Sequence, residues 1–189
     1  MVMGKNFDWK LIASEQLLKD KWIDVKSETW ERPDGKIVTP FYKYGFPDYA
    51  TALAITKDGK VILERMFRQG LGVECIELPG GCIDPSDNSK TDAMSRELLE
   101  ETGYRFDHIE YLGKISPNPT TNNNLMHMFL ATGGKFDPKQ PLDEDEDVET
   151  FLVTVDELIE LIQTQQFLQS MQLSTLFFAL QKLGRIIVQ

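Results

Sequence analysis

Arg96-Glu97-Leu98-Leu99-Glu100-Glu101-Thr102-Gly103 crowds three carboxylates into one short stretch. At about 100° per residue, Glu97, Glu100 and Glu101 share one face of a helix, with Leu98 and Leu99 turned towards a core. Gly103 is the expected end, because a left-handed C-terminal cap suits glycine. Acids in the last two turns meet the negative end of the helix dipole, and each like-charge pair costs roughly 0.2–0.5 kcal/mol. A sequence that breaks two local rules together usually marks a functional site. Hard divalent cations such as Mg²⁺ or Mn²⁺ prefer oxygen ligands and would offset the cost. The competing reading is a solvated acidic helix face, with Arg96 and Glu100 as an i,i+4 pair.

The flanking residues supply the elements that such a site needs. Pro79-Gly80-Gly81 reads as a turn, followed by a polar loop in which Asp87, Asn88 and Ser89 are all good N-caps. The helix is expected over about Lys90 to Thr102. Upstream, Trp22–Arg32 and Ile37–Tyr44 flank Pro33-Asp34-Gly35 and predict a hairpin. Ala50–Thr56 and Val61–Met66 flank Lys57-Asp58-Gly59 and predict a second. Glu74–Leu78, Ile109–Ile115, Met126–Thr132 and Phe151–Val155 read as further strands. Helices are expected over Asp156–Gln163, capped by Thr154 or Asp156, and over Leu173–Leu183, ending at Gly184. The pattern fits an α+β sandwich.

Gly81 to Tyr104 resembles the Nudix box, G-x5-E-x7-R-E-U-x-E-E-x-G-U with U apolar. Gly81, Arg96, Glu97, Leu98, Glu100, Glu101, Gly103 and Tyr104 match. The stretch from Gly81 to Arg96 is one residue longer than the pattern and lacks the loop glutamate. Counting from Gly81 puts Asp87 at that place; counting from Arg96 puts Asn88 there. Arg65-Met66-Phe67-Arg68-Gln69 through Glu77-Leu78-Pro79-Gly80-Gly81 is similar to the ADP-ribose pyrophosphatase and nucleoside-diphosphate-sugar hydrolase branch.

The resemblance implies a Nudix-type α/β/α sandwich with a mixed sheet and an N-terminal β-strand extension. Residues 1–45 would form a strand region for dimerisation and substrate contacts, and 46–189 the hydrolase domain. It implies metal ligation by Glu97, Glu100, Glu101 and the Gly80 carbonyl, with Glu146 as a further ligand. A general base on a loop beyond the box falls on Glu146, with Glu144 second. The acidic run Asp143–Asp147 that holds them also reads as a plain solvated loop. Arg68, then Arg65, would contact phosphate, and Glu77 would support the helix or the substrate. The implied reaction is Mg²⁺-dependent hydrolysis of a nucleoside diphosphate sugar, ADP-ribose first, by a homodimer. Ser116-Pro117-Asn118-Pro119 with Asn122-Asn123-Asn124 lacks the acid common in that branch, so other nucleotide sugars stay open. The alternative is a noncatalytic nucleotide-binding regulatory module that keeps the fold.

Composition is compatible with this reading. The chain has 189 residues, 41% hydrophobic and 26% charged, as in one ordinary globular domain with a small appendage. Its net charge of −10 argues against binding a nucleic-acid backbone. Cys75 and Cys82 lack metal-ligand spacing and read as small buried apolar residues. His108 and His127 read as bystanders. No apolar run approaches the ~20 residues of a membrane helix and no leader is legible, so a cytoplasmic location is expected.

Overall fold

Residues 6–139 and 147–186 are described in a computed structural model of the protein. The chain divides into two compact units, residues 1–47 with 116–124, and residues 48–115 with 125–189. In the first, β1 (Lys10–Lys19), β2 (Asp24–Glu31) and β3 (Ile37–Gly45) form an antiparallel meander. The turn at Pro33-Asp34-Gly35 places Gly35 at φ 80°, where glycine is unstrained. The loop after residue 115 adds to the β3 edge, with the Tyr44 N–H donating to Thr121 O at 2.8 Å and the Asn123 N–H to Tyr44 O at 3.2 Å. Every residue of β1 is exposed, including Leu11, Ile12, Leu17 and Leu18.

The second unit is built on a seven-stranded sheet. Its strands are β4 (Tyr49–Thr56), β5 (Val61–Arg68), β6 (Val73–Glu77), β7 (Tyr104–Arg105), β8 (His108–Ile115), β9 (Met126–Phe136) and β10 (Val148–Val153). Helix α1 (Lys90–Thr102) follows β6, and α2 (Val155–Gln163) and α3 (Ser170–Lys182) close the chain. The sheet is mixed: β4 runs parallel to β9, while the other pairs are antiparallel. Period-two alternation in β4 gives the sheet two apolar faces. Leu53 joins Leu63, Leu78, Leu158, Leu176 and Leu180 beneath α2 and α3. Ala50, Ala52 and Ala54 join Ile62, Phe129, Met94 and Leu98 beneath α1. The fold is therefore α+β, with helices on both faces of a mixed sheet. The row of alanines lets α1 sit close, and Met94 and Leu98, one turn apart, are fully buried. Among the described residues, no helix is long and apolar enough to cross a membrane.

Local signals place the elements closely. Ser89 caps α1, accepting the Asp92 N–H on its hydroxyl at 3.1 Å, and Gly103 ends it at φ 73°. Thr154, the first of the two expected caps, starts α2 with a capping box to Glu157. Some details differ from the sequence reading. β10 begins at Val148 and α3 at Ser170, earlier than their apolar runs suggested. Leu99 is half-buried, because only Leu98 and Met94 point at the alanine row. Cys82 is exposed while Cys75 is buried, because Cys75 lies inside β6 and Cys82 in the loop beyond it.

His127 is fully buried in β9, with Nδ1 3.1 Å from the Tyr111 hydroxyl and Nε2 3.4 Å from Asp48 Oδ2. Burial holds its pKa below the ordinary 6.5, against the pull of Asp48 and aided by Lys90 and Lys114. A histidine with a depressed folded pKa is protonated first in the unfolded chain, so stability is lost as pH falls through about 6.5. The melting temperature is expected to drop between pH 7.5 and 5.5. In His127→Gln that segment of the profile should flatten; an unchanged slope would assign the loss to other groups.

Candidate active site

The turn between β6 and the box is the foundation of the site. β4 and β5 pair only at Ala54–Ile62 and Ile55–Val61, after which the turn 79–81 takes the free edge of β4. The Ala52 N–H donates to Pro79 O at 3.1 Å and the Ala50 N–H to Gly81 O at 2.9 Å. Between these bonds the Gly80 carbonyl stays outside the pairing, and the Gly80 N–H donates to Glu101 Oε2 at 2.7 Å. Gly80 has φ 151°, and a Cβ there would lie 2.2 Å from Ala50 O and 2.7 Å from Thr51 Cα. Only glycine fits. At Gly81 a Cβ would lie 2.5 Å from Glu97 Oε2, so this second glycine makes the space in which the Glu97 carboxylate rests.

Arg96 organises the acids around this turn. Its Nη1 donates to Glu97 Oε1 and to Glu100 Oε2, each at 2.9 Å. Its Nε and Nη2 reach Asp87 Oδ1 and Oδ2 at 3.2 and 3.0 Å, and Nη2 also meets Cys82 O at 3.2 Å. Of the two loop candidates for the missing glutamate, Asp87 is the one bonded to Arg96. Its carboxyl is held below the ordinary range, first by the Arg96 bond, and Arg96 in turn is raised, first by Asp87. Both stay charged at neutral pH. Glu97 is 12% exposed and Glu100 41%, so Glu97 faces inward beside Gly81 and Glu100 outward.

Arg68 and Arg65 lie three residues apart on β5 and therefore on alternate faces. Arg68 makes a two-point fork with Glu77, Nε to Oε1 and Nη2 to Oε2, both 2.7 Å. Glu77 is buried and also accepts from Gln172 Nε2 at 2.7 Å. The carboxylate expected to support helix or substrate thus holds Arg68. The charge of Glu101 adds to the raised pKa of Arg68, after the larger effect of Glu77. Arg65 is shared between Glu74 at 3.2 Å and Glu149 at 3.0 Å, and lies over the Phe151 ring. Glu144 and Glu146 lie outside the described residues.

Glu97, Glu101 and the Gly80 carbonyl are hard oxygen donors around one glycine turn, and the space under Glu97 is one that a methyl group would fill. That donor set suits a divalent cation. Among the described residues, however, no three His, Cys, Asp or Glu side chains gather as a ready cage. Arg96 holds Glu97 and Glu100 to one side and the Gly80 N–H holds Glu101. Mg²⁺ commonly takes one or two carboxylates and completes its shell with waters and substrate phosphates, so a full protein cage is not required.

A mixed sheet between helices, with an acidic helix docked on a glycine turn, defines the class, and the chain belongs to the Nudix family: the NUDIX domain model matches residues 46–171. The model described as the nucleoside diphosphate sugar hydrolase N-terminal domain matches residues 9–43. Divalent metal ions are general in the Nudix family. An ADP-ribose pyrophosphatase of Bacillus subtilis is 32% identical over 164 residues, 86% of this chain and 87% of that one. A methanol dehydrogenase activator of Bacillus methanolicus is 28% identical over 169 residues, 89% and 90% of the two chains. The solved structure of an ADP compounds hydrolase superimposes with a TM-score of 0.83, at 22% identity, over 97% of this chain and all of that one, which supports the fold.

Two residues, one supporting the site and one ordering the start of β9, had escaped the sequence reading. Gln172 sits in the core stripe of α3, in register with Thr175, Leu176, Ala179 and Leu180. A polar residue in an apolar stripe was the signal. Asp48 had no such signal, since its role as acceptor for the Leu125 N–H at 2.8 Å depends on a residue far along the chain.

Proposed function

We propose that the protein hydrolyses the pyrophosphate bond of a nucleoside diphosphate linked to a sugar, with ADP-ribose the first substrate, yielding AMP and ribose 5-phosphate. The observation that carries this reading is the meeting of Glu97 and Glu101 with the Gly80–Gly81 turn, on a chain whose terminal segment matches a nucleoside-diphosphate-sugar hydrolase module. Mg²⁺ is the proposed ion, with Mn²⁺ able to replace it. Bound there, the cation neutralises pyrophosphate oxygens and makes a coordinated water more acidic.

Glu97, Glu101 and the Gly80 carbonyl would hold the ion, with Glu100, paired with Arg96, as a further ligand directly or through water. Arg96 bonds Glu97 and Glu100 together and so offsets their mutual repulsion. Arg68 spends two N–H groups on Glu77 and keeps three for phosphate oxygens. The role for Glu77 is to aim that fork. Arg65, held by two acids, is the weaker phosphate contact. Glu146 is the proposed base and a further metal ligand, with Glu144 second. Support comes from its place in the chain: β10 starts two residues later, pairs Val148 with Met66 near Arg68, and brings the Thr150 hydroxyl 3.4 Å from Glu101 O. The N-terminal region, 1–45, would add substrate contacts and join two chains as a homodimer, as the exposed apolar β1 suggests. Light scattering should then give twice the chain mass; a monomer would sink the dimer. Cytoplasm is the proposed location, where fractionation should find the protein.

A panel of nucleoside diphosphate derivatives with Mg²⁺, read as phosphate released after phosphatase coupling, tests the reading. ADP-ribose should turn over fastest. In Glu146→Gln, Mn²⁺ binding without substrate should be within threefold of the parent, because Glu97, Glu101 and the Gly80 carbonyl carry the affinity and Glu146 adds little to it, and turnover should be at least tenfold slower; parent-like turnover would move the base elsewhere. Silence across the panel would return the noncatalytic nucleotide-binding module.

A further inference from the structure

The Pro79–Gly80–Gly81 turn is held from β4 and from α1, and it has a third support from the far side of the sheet. The Gln172 side chain on α3 is buried, and both ends of its amide are used. Oε1 accepts the Leu78 N–H at 2.8 Å and Nε2 donates to Glu77 Oε2 at 2.7 Å. One side chain thus grips the carboxylate of residue 77 and the backbone of residue 78. Pro79 follows at once, with its φ fixed by the ring and Leu78 restricted before it. This stiff link leads to Gly80, whose N–H meets Glu101.

We propose that Gln172 is a positioning residue: by clamping Glu77 and Leu78 together it sets where the Gly80 carbonyl and Glu101 stand, and so sets divalent-cation affinity from a helix that carries no ligand. The proposal rests on the metal role given to Gly80 and Glu101 above. A buried amide costs stability unless both its polar ends are satisfied, and here the partners are ninety-odd residues away in the chain, on the very strand that feeds the turn. Arg68 bonds both oxygens of the Glu77 carboxylate, sharing Oε2 with Gln172, and Gln169 Nε2 approaches that same oxygen at 3.4 Å. Loss of Gln172 would therefore leave Glu77 held by Arg68 but let Leu78, and the turn after it, shift.

The test measures Mn²⁺ dissociation constants by calorimetry, without substrate, in the parent, Gln172→Leu and Gln172→Glu, with melting curves for each. At pH 7.5 both variants should bind Mn²⁺ about 10- to 100-fold more weakly, the range seen when the supports of metal ligands are removed. The glutamate variant adds a readout that general loosening would not move. Its carboxylate would repel Glu77, while its protonated form has the shape and bonding of glutamine, accepting from Leu78 and donating to Glu77. Other charged or titratable groups near Glu77 are Arg68, Cys75 and Tyr49, common to all three proteins. The ratio of variant to parent affinity should therefore recover towards one as pH is lowered to 5.5.

Parent-like affinity in either folded variant, or a deficit in Gln172→Glu that does not shrink with pH, overturns the clamp. If Gln172→Leu fails to fold, Gln172→Glu decides; if that variant fails to fold even at pH 5.5, the clamp as drawn is wrong. A parent that ignores Mn²⁺ overturns the metal reading and the clamp with it, whereas a binding parent with unaltered variants removes the clamp alone.

Discussion

Glu101→Gln is expected to lower kcat on ADP-ribose at least a hundredfold, about 2.7 kcal/mol of barrier, while the melting temperature moves by only a few degrees. The two effects separate because the bond that Glu101 makes in the fold and the metal role proposed for it draw on different properties of the carboxylate. Its Oε2 accepts the Gly80 N–H, and an amide oxygen in the same place can accept that bond too. Replacing a charged acceptor by a neutral one costs about 1 kcal/mol. Attraction for a cation depends on the negative charge, which the amide lacks. Steady-state turnover with Mg²⁺, Mn²⁺ calorimetry and a melting curve measure the three quantities. Parent-like turnover in a folded variant would remove Glu101 from the chemistry. A variant that melts far below the parent would make it chiefly a structural tie for the turn.

The paired glycines separate fold from site in the opposite sense. Gly80→Ala is expected to cost about 2–6 kcal/mol, combining backbone strain with overpacking. Its Cβ would lie 2.2 Å from a backbone oxygen of β4, which cannot give way without opening the sheet edge. A fall in melting temperature of about 10 °C or more should follow. Gly81→Ala meets only the tip of a side chain, the Glu97 carboxylate at 2.5 Å. That group can swing aside, so the fold should melt within about 3 °C of the parent. Mn²⁺ affinity should nevertheless drop about tenfold, because the carboxylate has lost its resting place. Equal melting temperatures for the two variants would contradict the close approach at Gly80. Full Mn²⁺ affinity in Gly81→Ala would show that Glu97 does not need this space to reach the ion.

The box helix was readable to its ends because every signal for it lies within a few residues. Ser89, one of three candidate caps, needs only the Asp92 N–H, Gly103 needs only a left-handed conformation, and the inward turn of Leu98 needs only helical geometry, although its partner in the core proved to be Met94 and not Leu99. The same holds for the turns at Asp34-Gly35 and Asp58-Gly59, which set the two hairpins before any tertiary contact forms. The type and place of the acids were legible for a related reason: crowding like charges at a helix end conflicts with local rules, and the conflict is visible without a fold.

What those acids touch was decided elsewhere. Whether Asp87 or Asn88 meets Arg96 depends on how the loop folds back over the helix, and spacing alone allowed both. Arg68 carried the signature of a phosphate contact, yet the fork is half occupied by Glu77, which stands on the neighbouring strand β6 four positions along from Val73, the residue directly opposite Arg68. The parallel pairing of β4 with β9 joins residues more than seventy apart, and with it came the burial of His127 and its tie to Asp48. Gln172 reaches Leu78 across ninety-four positions. Short-range patterns specify conformations whose energy is local, whereas partners across a sheet are chosen by the packing of faces that no single segment contains. From its residues alone, then, this chain declared an acidic helix set between glycines; which oxygens stand together, and which guanidinium restrains them, came only when the sheet closed beneath that helix.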